Sequence, residues 1–330
     1  MDRQQHQTRK KRGAVKTEQQ EEMQECGREA EEHSEQEESR AEVEAGGSRK
    51  QDPETPITIV MSSEILFKKE KQSSRSMIPG PAFSFVKALK AANAKIKMRY
   101  PESEELFKVV LIPDKPDLKK RIIKDNNLED IITLLLVREE DLIGELQRNN
   151  IHLYLSAPPG LKVPDAIKAG IAAAVMQTPE NITEVPETPL RVVFDGDAVL
   201  FSDESERAFK ERGLEGFLQN EREKVNVPMP KGPFKDFLEA LGRLQKKFEE
   251  KNCPVRTYLV TVRDAGNAGY RALNTLKTWG LEINEAYFLG GAPKGPVLNM
   301  IRPHIFFDDQ IRHVQGAMKE GVVAGHVKYQ

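Results

Sequence analysis

From Ile57 onward, short runs of β-branched and other apolar residues alternate with amphipathic segments of helical length. This alternation predicts an α/β fold, in which helices flank a Rossmann-like, mainly parallel sheet. Helices are expected to begin near Pro81, Pro233 and Asn267, because Pro, Gly or Asn marks each entry. The predicted strands are Ile57–Met61, Phe107–Ile112, Ile151–Leu155, Arg191–Phe194, Arg256–Thr261, Ala286–Leu289 and His304–Phe307.

The first 52 residues have a different composition from the rest of the chain. They contain no aromatic residue and almost no branched aliphatic residue, so they cannot bury enough apolar surface to offset the entropy of ordering. We predict a disordered, charged tail over residues 1–52. Two local alternatives stay open: a nuclear-import or phosphate-binding patch at Arg9–Arg12, and a fluctuating helix over Glu18–Glu44.

The bulk composition, with 38% hydrophobic and 31% charged residues, is typical of a soluble globular protein. No apolar run approaches the roughly 18 residues that span a bilayer, and the N-terminus lacks the apolar core of a secretory signal. Cys26 and Cys253 have no metal-ligand or CxxC spacing, which fits a reducing compartment. A net charge of -2 provides no overall attraction to nucleic acid. We therefore expect a cytoplasmic protein with neither a membrane nor a nucleic-acid partner.

A Pro/Thr/Glu-rich linker, Thr178–Pro189, separates two halves that match each other in pattern. We place the N-terminal α/β half at residues 53–186 and the C-terminal domain at residues 187–330. Four blocks match in the same order. In one of them, Gly80-Pro81, Phe85 and Ala88-Leu89 recur at identical spacing as Gly232-Pro233, Phe237 and Ala240-Leu241. This register predicts an internal duplication, although two unrelated α/β units could share some of the same pattern.

The chemistry is confined to the C-terminal half. Three carboxylates there stand opposite neutral residues of the N-terminal half: Asp195, Asp197 and Asp308 correspond to Met61, Ser63 and Ser156. The N-terminal half is therefore predicted to be non-catalytic, and it could instead cover the substrate.

Asp195-Gly196-Asp197 lies just past a fully apolar strand, where the loops of a parallel sheet build active sites. At this spacing the first carboxylate could attack phosphorus while the second protonates the leaving oxygen. A pair of turn aspartates is the alternative interpretation.

Three further polar elements follow at predicted strand ends. Thr261 could hydrogen-bond a phosphoryl oxygen, or it could simply close its strand. Lys294 lies in a Gly/Pro loop, where its ammonium could offset the charge of a phosphoryl group. Asp308 and Asp309 would repel each other without a cation, and carboxylate oxygens suit Mg²⁺.

The ordered set of Asp-x-Asp, Thr, Lys and Asp-Asp resembles the haloacid dehalogenase-like superfamily of phosphotransferases. Longer stretches resemble the cytosolic 5′-nucleotidase type I family, which prefers AMP. These stretches are Arg191–Glu206, Phe237–Phe248, Gly291–Pro296 and Ile301–Gln310. The chain departs from the family pattern at Pro113-Asp114-Lys115, which weakens the transfer of nucleotide-recognition detail from the N-terminal half. It departs again over Val262–Asn267, which leaves Thr261 in place but changes its neighbours.

The resemblance implies Mg²⁺-dependent hydrolysis of a nucleoside 5′-monophosphate through an aspartyl-phosphate, with AMP as the expected substrate. Asp195 would be the nucleophile and Asp197 the general acid and base, while Thr261 and Lys294 would bind phosphate. The metal ligands would be Asp195, Asp197 through its carbonyl, Asp308 and Asp309. A homo-oligomer and an allosteric ADP site are also implied. Two other functions stay open, a phosphatase for another small phosphoester and a non-catalytic nucleotide-binding regulatory module.

Overall fold

The apolar runs form the strands of one large sheet in the computed structural model, which describes residues 54–70, 73–114 and 116–329. Within these residues the chain forms twelve strands: β1 (Ile57–Ser62), β2 (Phe67–Glu70), β3 (Ser73–Pro79), β4 (Phe107–Ile112), β5 (Ile132–Leu134), β6 (Leu153–Ser156), β7 (Ala173–Gln177), β8 (Leu190–Phe194), β9 (Val255–Thr261), β10 (Glu285–Phe288), β11 (Ile305–Asp308) and β12 (Ala324–His326).

The same part of the chain forms ten α-helices: α1 (Ser63–Leu66), α2 (Phe83–Arg99), α3 (Pro116–Asp125), α4 (Leu142–Arg148), α5 (Val163–Lys168), α6 (Glu204–Glu223), α7 (Lys235–Gln245), α8 (Asn267–Thr278), α9 (Gly295–Ile301) and α10 (Ile311–Lys319). All seven predicted strands are confirmed, with bounds that shift by at most two residues. The predicted tail, with Arg9–Arg12, Glu18–Glu44 and Cys26, lies outside the described residues.

Ten of the strands form one sheet in the order β10-β9-β8-β11-β12-β7-β6-β1-β4-β5. Neighbouring strands are parallel throughout, except that β12 and β7 are antiparallel. The predicted mainly parallel, Rossmann-like sheet is therefore confirmed. Numbered within its own half, each set of five strands has the order 3-2-1-4-5, which is the doubly wound arrangement.

Both faces of the sheet are covered, as expected when strands are apolar on both sides. Along β8, Val192 and Phe194 belong to a large core on one face, whereas Val193 belongs to a smaller core on the other. Helices α2 and α7 contribute to the large core, and α9 and α10 to the smaller one. This layering leaves the strand ends as the places where polar side chains can converge.

Two equivalent glycine turns support the predicted duplication. The amide of Gly80 donates to the carbonyl of Leu66 over 2.8 Å, and the amide of Gly232 donates to the carbonyl of Leu200 over 2.8 Å. Two residues later in each half, an amide donates to the preceding carbonyl, from Ala82 to Ile65 over 2.9 Å and from Phe234 to Val199 over 2.9 Å. The two halves thus repeat backbone contacts as well as sequence pattern.

A histidine precedes β6 in the N-terminal half and β11 in the C-terminal half, and the two occupy equivalent positions. Nδ1 of His304 accepts from the amide of Arg191 over 3.0 Å, and Nδ1 of His152 accepts from the amide of Thr58 over 3.3 Å. Nε2 of His304 then donates to the carbonyl of Pro186 over 2.9 Å. Burial, reinforced by the charge of Arg191, lowers the pKa of His304 to about 4.

The antiparallel pairing of β7 with β12 places the strand ends of the two halves at opposite edges of the sheet. The carboxyl ends of β8, β9 and β11 lie at one edge, which we call the acidic edge because Asp195 and Asp308 lie there. The carboxyl ends of β1, β4 and β6 lie at the opposite edge. An N-terminal half that covered the acidic edge would therefore use loops at the amino ends of its strands.

In the N-terminal half, Ser63 occupies the position that the predicted duplication matches with Asp197, and it makes a polar contact there. The hydroxyl of Ser63 donates to the carboxylate of Asp114 over 2.9 Å, and the buried ammonium of Lys119 lies 3.4 Å from the same carboxylate. In the described part of this edge, Met61 occupies the position that the predicted duplication matches with Asp195. The assignment of the N-terminal half as non-catalytic stays a prediction.

Residues between β7 and β8 form neither helix nor strand, as expected for a linker at Thr178–Pro189. All of the helices and strands nevertheless belong to one unit, Thr55–Gln330, so the predicted boundary near residue 186 falls within a continuous sheet. The division into residues 53–186 and 187–330 stays a prediction. No helix among the described residues is long and apolar enough to cross a membrane.

Replacing either turn glycine with alanine should destabilise the fold. An ideal Cβ would lie 2.2 Å from the carbonyl oxygen of Phe201 at position 232, and 2.3 Å from that of Ile65 at position 80. We expect Gly80→Ala and Gly232→Ala each to lower the free energy of unfolding by about 1–3 kcal/mol, as measured by denaturant titration. Gly316→Ala is the control, because nothing lies within 4 Å of its added methyl group. Loss of stability in all three variants alike would contradict the steric argument.

His304 should make stability fall in mild acid. Because its pKa is about 4 when folded and near 6.5 when unfolded, its contribution is fully present above pH 6.5 and is lost as the pH falls toward 4. This group alone should account for roughly 3 kcal/mol. Denaturant titrations at pH 7 and pH 4 should show a smaller acid-induced loss for His304→Gln than for the wild type, and equal losses would refute the assignment.

Candidate functional site

Asp195 lies at the carboxyl end of β8, directly after a strand whose last three residues are buried. Its amide donates to the carbonyl of Phe307 on β11 over 2.9 Å, so the residue sits between two parallel strands. Asp195 is only 3% exposed, and its carboxylate accepts a hydrogen bond from the amide of Gly196 over 2.7 Å. The neighbouring strand β11 brings Asp308 to the same edge, as the sequence predicted.

Lys294 connects these two carboxylates. Its ammonium lies 2.7 Å from Oδ1 of Asp195 and 2.7 Å from Oδ2 of Asp308. The loop that delivers it turns through Gly290 and Gly291, whose φ angles of 56° and 89° favour glycine. The lysine is buried, yet contact with the two carboxylates outweighs burial and holds its pKa above the ordinary value.

His313, in the first turn of α10, completes the contacts of Asp308. Its Nδ1 lies 3.2 Å from both carboxylate oxygens, and the amide of Gln310 donates to Oδ1 over 2.8 Å. Burial alone would raise the pKa of Asp308, but Lys294 and His313 together hold that pKa below its usual range. His313 was not predicted from the sequence. Its position in the first turn of the helix after β11 is the feature that could have indicated it.

The site holds more negative charge than Lys294 can balance. Burial, with the charges of Asp308 and Asp197, raises the pKa of Asp195 to about 7 despite its contact with Lys294. Burial, with the charges of Asp195, Asp308 and Glu206, raises the pKa of Asp309 to about 9. A second positive charge would therefore stabilise the ionised form of both groups.

The donor set fits a divalent cation. Asp195, Asp308 and His313 each offer one ligand atom, and these atoms lie within 4.8 Å of one another. Oδ1 of Asp309 is buried and has no hydrogen-bond partner among the described residues, which leaves a carboxyl oxygen free to serve a cation directly or through water. Carboxylate oxygens are the ligands that hard cations prefer.

Thr261 closes β9, the neighbour of β8, and is fully buried. Its hydroxyl accepts from the amide of Arg263 over 3.3 Å. An ideal Cβ built on Gly196 would lie 3.4 Å from this hydroxyl, so Thr261 borders the loop that carries Asp195. The proposed contact of Thr261 with phosphate stays a prediction.

Asp197 lies in a wide turn, Gly196–Leu200, in which Asp197 itself is extended and Ala198 is left-handed with a φ of 58°. In this turn the carboxylate of Asp197 contacts Arg263. The guanidinium of Arg263 donates from Nη2 to Oδ1 over 2.7 Å and from Nε to Oδ2 over 2.9 Å, which makes a two-point contact. Of the six predicted site residues, Asp195, Lys294 and Asp308 are in direct contact, and Asp197 is bound separately by Arg263.

The partners of Asp197 were not predicted. Arg263 was visible in the sequence only as a departure from the family pattern, two residues after Thr261. Behind it lies Glu221, whose Oε2 accepts from Nη1 of Arg263 over 2.6 Å. Glu221 had no sequence signal, because it is one acidic residue among many on the charged helix α6.

Comparison with known proteins identifies the family of the chain. The profile of the 5′-nucleotidase family matches residues 63–330. Human cytosolic 5′-nucleotidase 1B is 48% identical over 257 residues, which cover 76% of this chain and 42% of that protein, so the chain spans well under half the length of this relative. A solved structure, propionaldehyde dehydrogenase from Rhodopseudomonas palustris, has 9% identity and a TM-score of 0.21 over 82% of this chain and 65% of its own. Since the family profile covers most of the chain, the protein belongs to the 5′-nucleotidase family.

Proposed function

We propose that this protein hydrolyses nucleoside 5′-monophosphates, and AMP before others, to the nucleoside and phosphate. The observation that carries the proposal is the buried contact of Lys294 with both Asp195 and Asp308 at the acidic edge. Membership of the 5′-nucleotidase family supports the substrate class, and the resemblance to the AMP-preferring type supports the base.

In the first step a carboxylate oxygen of Asp195 attacks phosphorus, and the bond between phosphorus and the 5′ oxygen breaks. Asp197 donates a proton to that departing oxygen. In the second step Asp197 takes a proton from water, which attacks the aspartyl-phosphate and releases phosphate. Lys294 and Thr261 bind the remaining phosphoryl oxygens, and Lys294 also offsets the charge that develops on them.

Mg²⁺ is the metal that we propose for the site. Asp195, the backbone carbonyl of Asp197, and Asp308 would hold it, with support from Asp309. When bound, it would supply positive charge for the phosphoryl oxygens and keep the buried carboxylates ionised. The excess of acidic groups over cations at the acidic edge supports this assignment.

The broader assignments of partner and location also rest on the family. A cytoplasmic location is supported by the name of the human relative. A homo-oligomer is supported by apolar side chains on α6 and α8 that are about half exposed, namely Phe209, Leu214 and Tyr270. Allosteric activation by ADP and a substrate cover formed by the N-terminal half are proposed from the resemblance and the domain prediction alone.

Asp195→Asn should abolish phosphate release from AMP. Loss of the nucleophile should lower kcat by at least about a thousand-fold. The measurement is phosphate release from a panel of nucleotides and other small phosphoesters, with Mg²⁺ and with EDTA. Asp236→Asn is the control, because Asp236 is exposed and pairs with Lys231 at the surface.

Wild-type turnover by Asp195→Asn would refute the mechanism. A purified wild-type protein that bound AMP without releasing phosphate would favour the regulatory module, and a better substrate in the panel would favour another phosphatase.

Lys294→Met should lower both activity and stability. Without the ammonium, Asp195 and Asp308 remain as two buried carboxylates, which should cost about 3 kcal/mol of unfolding free energy in EDTA. Phosphate release from AMP should fall by about 10²–10³-fold. Lys235→Met is the matched control, because Lys235 pairs with the half-exposed Glu239 and should contribute little. Unchanged stability in Lys294→Met would contradict the charge balance described for the site.

A further inference from the structure

The side chain of Arg263 is fully buried, and all five of its N–H groups have acceptors. Nε and one N–H of Nη2 bind Asp197, and the other N–H of Nη2 donates to the hydroxyl of Ser205 over 2.8 Å. The two N–H groups of Nη1 donate to Glu221 over 2.6 Å and to the carbonyl of Ala268 over 3.1 Å. All three guanidinium nitrogens are therefore held by hydrogen bonds, and the group cannot rotate without breaking several of them.

This fixed plane determines the orientation of the Asp197 carboxylate. A two-point contact between guanidinium and carboxylate aligns the two groups in one plane, which a lysine ammonium cannot do. Asp197 is the more open of the pair, since 17% of its side chain is exposed whereas Arg263 has none exposed. The contact thus joins a fixed, buried group to a carboxylate at the border of the site.

The contacts continue from Arg263 into α6 and α8. Glu221 accepts from Nη1 of Arg271 over 3.0 Å as well as from Arg263, and Arg271 also donates to Glu204 over 3.0 Å. Glu204 and Glu221 lie near the two ends of α6, and Arg271 lies on α8. Opposite charges alternate along this network, which consists of Asp197, Arg263, Glu221, Arg271 and Glu204.

We infer that Arg263 is a positioning residue for proton transfer. It orients Asp197 toward the leaving oxygen; when Asp197 acts as the acid, one of its two oxygens carries the proton that passes to the 5′ oxygen, and the other keeps its contact with Arg263. Glu221 connects Arg263 to α6. The inference rests on the proposed function, in which Asp197 protonates the 5′ oxygen. Arg263 itself need not touch the substrate. A purely structural role, in which the network only attaches α6 to α8, is the alternative.

The two roles differ in their dependence on the leaving group. With AMP, the electron pair of the breaking bond goes to an alkoxide oxygen, which needs a proton as it departs. In the analogue with sulfur in place of the bridging 5′ oxygen, the pair goes to a thiolate, which departs with little need of a proton. Both substrates carry the same base and phosphoryl group, so they make the same other contacts.

The experiment compares kcat for AMP and for the bridging 5′-thio analogue in full-length protein with Mg²⁺. Arg263→Ala should lower kcat for AMP by about 10²-fold and kcat for the analogue by less than about tenfold. Arg263→Lys should restore only part of the AMP rate, because an ammonium cannot make the two-point contact. Equal losses for both substrates, or no loss for either, would overturn the inference.

Arg271→Ala is the matched control. Arg271 is a buried arginine of the same network, and its hydrogen bonds go to Glu221, Glu204 and the carbonyl of Val227 instead of Asp197. Its loss should lower stability and should reduce both rates by the same factor. A selective loss with AMP in Arg271→Ala would show that any damage to the network acts in this way, which would also overturn the specific role of Arg263.

A double-mutant cycle covers the case in which a variant folds poorly or the analogue reacts slowly. If Arg263 acts through Asp197, then adding Arg263→Lys to Asp197→Asn should change the AMP rate by less than about threefold. Additive losses would overturn the inference. Failure of the proposed function gives a different result, since the wild-type protein would then release no phosphate from AMP.

Discussion

The antiparallel pairing of β7 with β12 is the contact on which the arrangement of the molecule depends. Three residue pairs along these strands join two five-stranded units into one sheet. Because the strands reverse direction there, the carboxyl-end loops of the two units lie at opposite edges. The same pairing therefore gives a continuous core and keeps the acidic edge separate from the equivalent edge of the N-terminal half.

At the acidic edge, charge balance dominates the energetics. Asp195 and Asp308 are buried beside Lys294, and Asp309 adds a further carboxyl group, so one ammonium faces three acids. Burial, together with the charge of Asp308, raises the pKa of Asp195 despite the contact with Lys294. In the proposed mechanism Asp195 attacks as an ionised carboxylate, and for this reason we propose an additional cation at the acidic edge.

The second carboxylate of the acid pair has a different environment. Asp197 is only two residues from Asp195, yet its carboxylate contacts Arg263, whereas that of Asp195 contacts Lys294. Asp195 shares Lys294 with Asp308. Two adjacent carboxylates can take different roles in one reaction when their surroundings differ in this way.

The sequence was informative where one local pattern decides the structure. Short apolar runs predicted seven of the ten strands of the large sheet. The other three, β5, β7 and β12, have only three to five residues, and the strands β2 and β3 of the small sheet are rich in polar residues, so none of these five was predicted. Helix α6 was also not predicted, because it has few large apolar residues. Its buried contacts are ionic: Glu221 binds Arg263 and Arg271, which lie more than 40 residues away in the chain.

By itself, the sequence determined the α/β class, the repeated strand pattern, and the strand ends at which Asp195, Lys294 and Asp308 would meet. Those residues follow apolar strands, and parallel strands end at a common edge, so local pattern was sufficient. Only the tertiary structure decided that the two halves share one sheet with opposed edges, that His313 contacts Asp308, and that Arg263 holds Asp197. These contacts join residues from separate elements, and their partners are chosen by distance and charge in the folded chain, which sequence spacing does not encode.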